Sequence, residues 1–318
     1  MSNRSVVVND SVEGRLEIQE VPEPIQKENE ALIRVRAVSL NRGEVRKSLT
    51  YAEEGYRPGW DFAGVVEKAA PNGLGPKVGE RVVGMKGSGT WSEIITVAPE
   101  AMALIPDSVS FEVASTLPVA GLTALHALKK GGMLLGKKVL ITGATGGVGD
   151  YALQLAKLSG AKTYAHVRRE EQISIAKNSG AEFVLVGSDL KSAAENAGSF
   201  DLIIDSVGDK VLADALAILN EGGVCVNLGV SAGSAVTIDA ATFFLTGRAS
   251  LYGLILFDEF KPGETASHGL TILGELLAEG KIKPLISVEE DWSKVAEVAE
   301  GLNSRKFAGK AVLIVSSK

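Results

Sequence analysis

The chain has 318 residues, and its 33 basic and 39 acidic side chains leave a formal net charge of −6. A length near 320 favours about two domains of roughly 150 residues each. One cysteine, Cys225, and three histidines exclude a four-thiolate zinc site, an iron–sulfur cluster and an internal disulfide. The acidic balance and the aromatic content of 5% argue against nucleic acid as a partner.

The first residues, MSNRSVVVND, lack the apolar core of a signal peptide, and no apolar stretch reaches the roughly 20 residues that a membrane span needs. We therefore expect a cytoplasmic protein without a membrane partner. Since metal ligands are scarce, we expect its chemistry to come from an organic cofactor.

Residues 1 to about 118 are predicted to be rich in β-strands. Apolar and polar residues alternate in LEIQEV, ALIRVRAVSL, DFAGVVEKAA, ERVVGM and WSEIITV, and Pro/Gly turn signals separate these runs. Short strands with tight turns favour a small barrel or a distorted sandwich.

From residue 119 the pattern changes to alternating helices and strands. VAGLTALHALKK predicts a helix, and the strands are predicted in KKVLIT, TYAHV, EFVLV, FDLIIDSV, GGVCVNLG and SLYGLIL. VLIT and LIID are apolar without alternation, as in strands that are buried on both faces. The sequence thus predicts an α/β fold with a doubly wound, parallel, six-stranded Rossmann sheet.

After about residue 258 the alternation weakens. GLTILGELLAEG and DWSKVAEVAEGLN predict helices, KPLI a short strand and GKAVLIV a final strand. The tail either continues the parallel sheet or folds back on the first region, and the sequence leaves both open.

The clearest motif is VLITGATGGVGDYALQLAK at residues 139–157, where a strand runs into Gly143, Gly146, Gly147 and Gly149 before a helix. Glycines allow a sharp turn and a close approach of the backbone to a pyrophosphate, and the free amides at the helix start bind the anion. In this strand–turn–helix setting the motif predicts a dinucleotide site.

The end of the second strand of this region distinguishes NAD from NADP. An NAD site has Asp or Glu there for the ribose hydroxyls, whereas this chain has Arg168 and Arg169 after His166-Val167. Two guanidinium groups suit a 2′-phosphate through charge-assisted hydrogen bonds. We therefore predict NADP(H), the alternative being two solvent-facing arginines that pair with Glu170 and Glu171.

The domain order resembles that of the medium-chain dehydrogenase/reductase superfamily. GATGGVG at 143–149, SLNRGE at 39–44, LPVAGLTALHAL at 117–128 and GKAVLIV at 309–315 are similar to its zinc-independent, quinone oxidoreductase-like branch. The resemblance covers the whole chain. It implies a GroES-like catalytic domain at residues 1–118 and 258–318, and a Rossmann NADP-binding domain at residues 119–257.

Zinc-dependent members carry an early cysteine and a Gly-His-Glu motif, but here Trp60 and Asp61 stand where the histidine and glutamate would be. The resemblance therefore implies a zinc-free reductase with no metal ligand. It also implies cofactor-binding residues, with Asn41 additionally at the substrate. These residues are Asn41, Thr123, Gly146, Gly147, Val148, Val207, Leu228, Gly229, Leu254 and Ile255, to which the end of the second strand adds Arg168 and Arg169.

The function implied is hydride transfer from NADPH to a quinone or an α,β-unsaturated carbonyl, whose conjugation spreads the developing charge. A backbone amide, Asn41 or a water could donate a hydrogen bond to the substrate oxygen. Two alternatives stay open: a zinc-free NADP-dependent alcohol or aldehyde dehydrogenase, and an NADPH-binding sensor with little turnover. Whether Tyr51 or Tyr56 reaches the cleft is also open, and Lys310 either binds a phosphate or is a solvated charge. The resemblance further implies a homodimer through SLYGLIL.

Overall fold

The structure, a computed structural model, describes residues 2–261 and 263–316. The chain forms two compact units: unit 1 comprises residues 1–122 and 260–318, and unit 2 comprises residues 123–259. Within the described ranges no helix is both long and apolar enough to cross a membrane.

The strands are β1 (Ser2–Val8), β2 (Leu16–Pro22), β3 (Ala31–Ser39), β4 (Asp61–Lys68), β5 (Arg81–Met85), β6 (Ile94–Val97), β7 (Met102–Leu104), β8 (Lys138–Ile141), β9 (Lys162–Val167), β10 (Phe183–Val186), β11 (Phe200–Asp205), β12 (Leu219–Asn227), β13 (Ser250–Gly253), β14 (Ile286–Asp291) and β15 (Lys310–Ile314). The α-helices are α1 (Arg42–Thr50), α2 (Phe111–Ser115), α3 (Leu122–Lys129), α4 (Gly147–Leu158), α5 (Ile173–Asn178), α6 (Leu190–Ala193), α7 (Asp209–Ala217), α8 (Ala240–Leu245), α9 (Ala266–Ala278) and α10 (Val295–Asn303).

Unit 1 is built on a seven-stranded sheet of order β14-β15-β3-β4-β5-β7, with β6 also paired to β3, and on the separate β1–β2 hairpin. The alternation that predicted β3 and β4 places Ile33 and Phe62 in a buried core together with Val6, Trp91 and Trp292. Burial of such large apolar side chains is the main favourable contribution to folding.

The C-terminal tail folds back on unit 1. Strand β15 pairs antiparallel with β3, with Leu313 opposite Val38, and β14 pairs parallel with β15. The predicted strand KPLI is wrong in its position, because the strand begins only at Ile286. Pro284 has no N–H to donate to a sheet, so the extended pairing starts beyond it.

Unit 2 contains the predicted six-stranded parallel sheet, in the order β10-β9-β8-β11-β12-β13. Leu140 on β8 and Ile203 on β11 are fully buried, as expected for runs without alternation. Cys225 on β12 is also buried, and burial raises the pKa of its thiol. The cysteine is thus a small core residue.

Candidate functional site

The glycine-rich turn of unit 2 lies between β8 and α4. Gly143 has a φ of +59°, a left-handed conformation that glycine adopts without strain. Gly146 is the N-cap of α4, and its own N–H donates to the Gly143 carbonyl at 2.9 Å. The amides of Gly147 and Val148 in the first turn have no acceptor within the helix, so they can bind an anion.

The turn has no room for side chains at two of its glycines. A Cβ on Gly149 would lie 2.5 Å from the Gly143 carbonyl oxygen and 2.7 Å from Cα of Ala144. A Cβ on Gly143 would lie 2.3 Å from Oγ of Ser206. Gly146, by contrast, is exposed and would meet only the Gly143 carbonyl, at 3.3 Å. The turn is therefore a tight cradle with an open face, which fits the pyrophosphate of a dinucleotide.

The carboxyl ends of β8, β11 and β12 are held together by Asp205, which the sequence analysis did not single out. Its carboxylate accepts hydrogen bonds from Thr142 Oγ1 at 2.6 Å, from the Gly208 amide at 2.9 Å and from Asn227 Nδ2 at 2.9 Å. Asp205 is fully buried. Its signal in the sequence was a carboxylate at the end of the apolar run LIID, where an unpaired charge would be unfavourable.

Asp205 and Asn227 also position three of the predicted cofactor residues. The Val207 amide donates to the Asp205 carboxylate at 3.3 Å, and the Leu228 amide donates to the Asp205 carbonyl at 2.8 Å. The Leu254 amide donates to the Asn227 carbonyl at 2.9 Å. These residues therefore lie at the same edge of the sheet, the edge where open α/β sheets bind ligands.

The remaining predicted residues of unit 2 have different settings. Gly229 accepts a hydrogen bond from Asn227 Nδ2 at 2.9 Å, so it lies beside the same strand ends. Thr123 is buried on α3, whereas Ile255 is 63% exposed. The described hydrogen bonds connect neither Thr123 nor Ile255 to the glycine turn.

The tip of β9 carries both predicted arginines. Arg169 Nε lies 3.1 Å from the Glu171 carboxylate, so one of the two is paired in the way the alternative interpretation expected. The Arg168 guanidinium has no ion-pair partner among residues 2–261 and 263–316. The Gln172 side chain accepts from the amides of both arginines at 3.2 Å and donates to Thr145 Oγ1 at 3.1 Å. It thereby ties the tip of β9 to the glycine turn.

Asn41, the N-cap of α1 in unit 1, lies in a largely buried polar cluster that we call the Lys310 cluster. Its members are Ser39, Asn41, Glu44, Asp61 and Lys310. Asn41 Nδ2 donates to Asp61 Oδ2 at 2.8 Å and to Glu44 Oε1 at 3.0 Å. Asp61 Oδ2 also accepts from Ser39 Oγ at 2.7 Å. Both hydrogens of the Asn41 amide are therefore donated within the chain.

Lys310 is not a solvated charge, because it is 3% exposed. Its Nζ lies 2.6 Å from Asn41 Oδ1 and 3.4 Å from Asp61 Oδ2. Burial lowers the pKa of its ammonium group. Burial, reinforced by the nearby Asp61 carboxylate, raises the pKa of Glu44 to about 8. Burial thus disfavours the charged form of both groups, and the raised pKa favours a neutral carboxylic acid at Glu44 at neutral pH.

The two tyrosines that follow Asn41 are placed differently. Tyr51 is 65% exposed. Tyr56 packs against the core of unit 1, with Lys47 Nζ 4.0 Å from its ring centroid.

The side chains around Trp60 and Asp61 do not form a set of metal ligands. In the ranges that the structure describes, no group of three or more His, Cys, Asp or Glu residues is placed to hold a metal ion. The Asp61 carboxylate is occupied on both oxygens, since Oδ1 accepts the Val119 amide at 2.9 Å.

Two family profiles match the chain. Residues 27–107 match the alcohol dehydrogenase GroES-like domain, and residues 147–268 match the domain described as zinc-binding dehydrogenase. The first match lies in unit 1, and most of the second lies in unit 2.

Several known proteins of similar sequence are oxidoreductases. The chain is 30% identical over 307 residues to a 2-methylene-furan-3-one reductase of Solanum lycopersicum, covering 91% of this chain and 73% of that protein. It is 29% identical over 305 residues to the quinone oxidoreductase of Homo sapiens, covering 92% and 91% of the two chains. The solved structure of the quinone oxidoreductase from Coxiella burnetii matches with a TM-score of 0.85 and 25% identity, covering 99% and 100%.

The glycine cradle, the six-stranded parallel sheet and these similarities together assign the chain to a family of oxidoreductases that use nicotinamide cofactors. The chain belongs to the quinone oxidoreductase-like medium-chain dehydrogenases/reductases of the zinc-binding-dehydrogenase superfamily.

Proposed function

We propose that the chain is an NADPH-dependent, zinc-free reductase that transfers hydride to a quinone or an α,β-unsaturated carbonyl. The observation that carries the cofactor assignment is the tip of β9, where Arg168 and Arg169 replace the carboxylate of an NAD site. The acceptor class is supported by the 2-methylene-furan-3-one reductase and the quinone oxidoreductase to which the chain is similar.

The zinc-free part of the proposal is supported by the surroundings of Asp61. Trp60 stands beside it in the position of a histidine ligand, and the carboxylate is bonded to Ser39, Asn41 and Lys310. An ammonium group therefore neutralises Asp61 from within the chain. A conjugated acceptor suits such a site, because it disperses the developing negative charge without a Lewis acid.

In this proposal the described residues bind and orient the cofactor. The amides of Gly147 and Val148 hold the pyrophosphate, and Arg168 holds the 2′-phosphate. Asp205 fixes the strand ends along which Val207, Leu228 and Leu254 would line the dinucleotide. NADPH, when bound, supplies the hydride. The chain's contribution is then mainly position, which can supply much of a rate enhancement.

An acceptor screen followed at the NADPH absorbance tests the proposed function. We expect NADPH oxidation with 1,4-benzoquinone and with an open-chain enone, and little with saturated aldehydes. Reduction of NADP⁺ by simple alcohols would favour the alcohol dehydrogenase alternative instead. Tight NADPH binding without turnover on the whole panel would favour the sensor alternative.

We also propose a homodimer through β13, the outermost strand of the sheet of unit 2. Leu251 and Tyr252 on this strand are 48% and 37% exposed, and Phe244 and Leu245 on α8 are 70% and 74% exposed. An exposed edge with apolar side chains is suited to pair with a second copy about a two-fold axis.

Light scattering after size exclusion should give twice the chain mass of 33.2 kDa. A Leu251→Lys variant, which places a charge on the edge strand, should elute as a monomer. A wild-type mass of one chain would contradict the dimer.

A further inference from the structure

The Lys310 cluster contains a buried cation that the proposed function uses only to neutralise Asp61. Lys310 opens β15, and its Nζ donates to Asn41 Oδ1 at 2.6 Å, to the Leu40 carbonyl at 3.0 Å and to Asp61 Oδ2 at 3.4 Å. An ammonium group has three hydrogens, so these three acceptors use its full capacity. Lys310 therefore has a fixed position and no donor left for a ligand.

The contacts of Asn41 determine which way its amide group is turned. In the described orientation Oδ1 faces the ammonium of Lys310, and Nδ2 faces carboxyl oxygens of Glu44 and Asp61. The reversed orientation would bring an NH₂ group within 2.6 Å of the ammonium and an oxygen against two carboxyl oxygens. Each of these contacts would be repulsive, so the charges around Asn41 allow a single orientation.

This orientation decides what Asn41 can offer to a ligand. Both of its N–H hydrogens are already donated. No cap hydrogen bond runs from the first turn of α1 to the Asn41 side chain, so among the described residues Oδ1 accepts from Lys310 alone and retains a second lone pair. The residue is only partly buried. The remaining capacity of its side chain is therefore that of a hydrogen-bond acceptor.

We propose that Lys310 is a positioning residue that holds Asn41 as a hydrogen-bond acceptor for a ligand hydroxyl or amide N–H. The ligand class is then a sugar hydroxyl or a carboxamide, both of which a nicotinamide dinucleotide carries, and the inference rests on the proposed function to that extent. The sequence made Asn41 one of three possible donors to the substrate oxygen, beside a backbone amide and a water. With its hydrogens occupied, Asn41 does not fill that role.

The test compares Lys310→Met, which has no donor, with Lys310→Gln, whose NH₂ group keeps a donor without a charge. Lys306→Met, an exposed lysine of the same unit, is the matched control. We expect Lys310→Met to lower kcat/KM with NADPH and 1,4-benzoquinone by about 10-fold or more, mainly through a higher KM for NADPH. Lys310→Gln should recover most of that loss, and Lys306→Met should match the wild type.

A second readout follows the Asn41 side chain itself in protein labelled with [¹⁵N]asparagine, its signal being assigned by an Asn41→Ser variant. In the wild type both amide hydrogens should exchange slowly with solvent, and exchange should accelerate in Lys310→Met. If Lys310→Met does not fold, the same comparison is made between Lys310→Gln and the wild type, where a smaller acceleration is expected.

The two proposals fail in different ways. An inactive wild type that shows the expected amide exchange would refute the proposed function and leave the positioning of Asn41 intact. An active wild type whose Lys310 variants retain its KM for NADPH and its slow exchange would overturn the positioning role.

Discussion

An Arg168→Ala variant is expected to lose most of its preference for NADPH over NADH. Arg168 follows β9 and is exposed, and its guanidinium has no ion-pair partner in the described part of the chain. Removing a charge-assisted hydrogen bond to the 2′-phosphate should weaken NADPH binding about 10- to 100-fold. NADH has no phosphate at this position, so its affinity should change less than about 3-fold.

Arg169→Ala is the matched control, because Arg169 is the neighbouring guanidinium but is paired with Glu171 at 3.1 Å. Dissociation constants for NADPH and NADH, measured by titration calorimetry, give the preference of each variant. We expect a smaller loss of NADPH affinity in Arg169→Ala than in Arg168→Ala. Equal losses for both cofactors in Arg168→Ala, or no loss, would refute the assignment of the 2′-phosphate to this residue.

Local patterns in the sequence were sufficient to predict the sheet of unit 2 and its glycine turn. The apolar runs VLIT and LIID became the central strands β8 and β11, because only buried strands tolerate such runs. Gly149 stands where the backbone leaves no space for a Cβ, and Gly143 where the Ser206 hydroxyl leaves none. Each of these patterns is contained in a few consecutive residues, so it can be recognised from the sequence alone.

The Lys310 cluster could not be predicted in the same way. Lys310 and Asn41 are 269 positions apart, and they meet only because the tail folds back and pairs β15 with β3. The residues before Lys310 gave no sign of that pairing, so a solvated lysine was an equally good interpretation. A long-range strand pairing depends on the packing of the whole unit and has no local pattern.

Buried carboxylates were missed for a related reason. Asp205 ends a hydrophobic strand, and Glu44 lies in the first turn of α1, where an acidic residue usually interacts with the helix N-terminus at the surface. The burial of each carboxyl group becomes apparent only in the folded unit to which it belongs, Glu44 in unit 1 and Asp205 in unit 2. Their hydrogen-bond partners come from several elements.

Glu44 should make the stability of the protein depend on pH. Its pKa is raised from 4.5 to about 8, first by burial and then by the Asp61 carboxylate, whereas Lys310 opposes the shift. Below pH 4.5 both the folded and the unfolded chain hold this proton, so the group has no effect there. Between pH 4.5 and 8 the unfolded chain releases the proton while the folded chain retains it.

The free energy of unfolding should therefore fall as pH rises through this window and level off above pH 8. Each unit of pKa shift corresponds to about 1.4 kcal/mol, so the change from 4.5 to about 8 contributes on the order of 5 kcal/mol in total. A substitution at position 44 leaves the other ionisable groups of the cluster, Asp61 and Lys310, in place. A comparison with that variant isolates the glutamate.

Glu44→Gln is the variant that removes the titration with least change of shape. Glu44 Oε1 accepts from the Asn41 amide at 2.8 Å and from Asn41 Nδ2 at 3.0 Å, and the carboxamide oxygen of glutamine can accept both bonds. The Oε2 atom of Glu44 is buried without a hydrogen-bond partner. The NH₂ group of glutamine would occupy the same position, so the substitution breaks no hydrogen bond there. We expect similar or slightly lower stability than the wild type at pH 5.

At pH 8.5 the same variant should be more stable than the wild type by about 2–4 kcal/mol, because it has no buried carboxyl group to ionise. Urea unfolding at pH 5, 6, 7 and 8.5 measures this difference, with the exposed Glu300→Gln on α10 as the matched control. The control should follow the wild-type curve. A wild-type curve that does not change between pH 5 and 8.5, or a Glu44→Gln curve that falls in parallel with it, would mean that Glu44 is ionised in the folded chain, with the Lys310 ammonium then balancing two carboxylates.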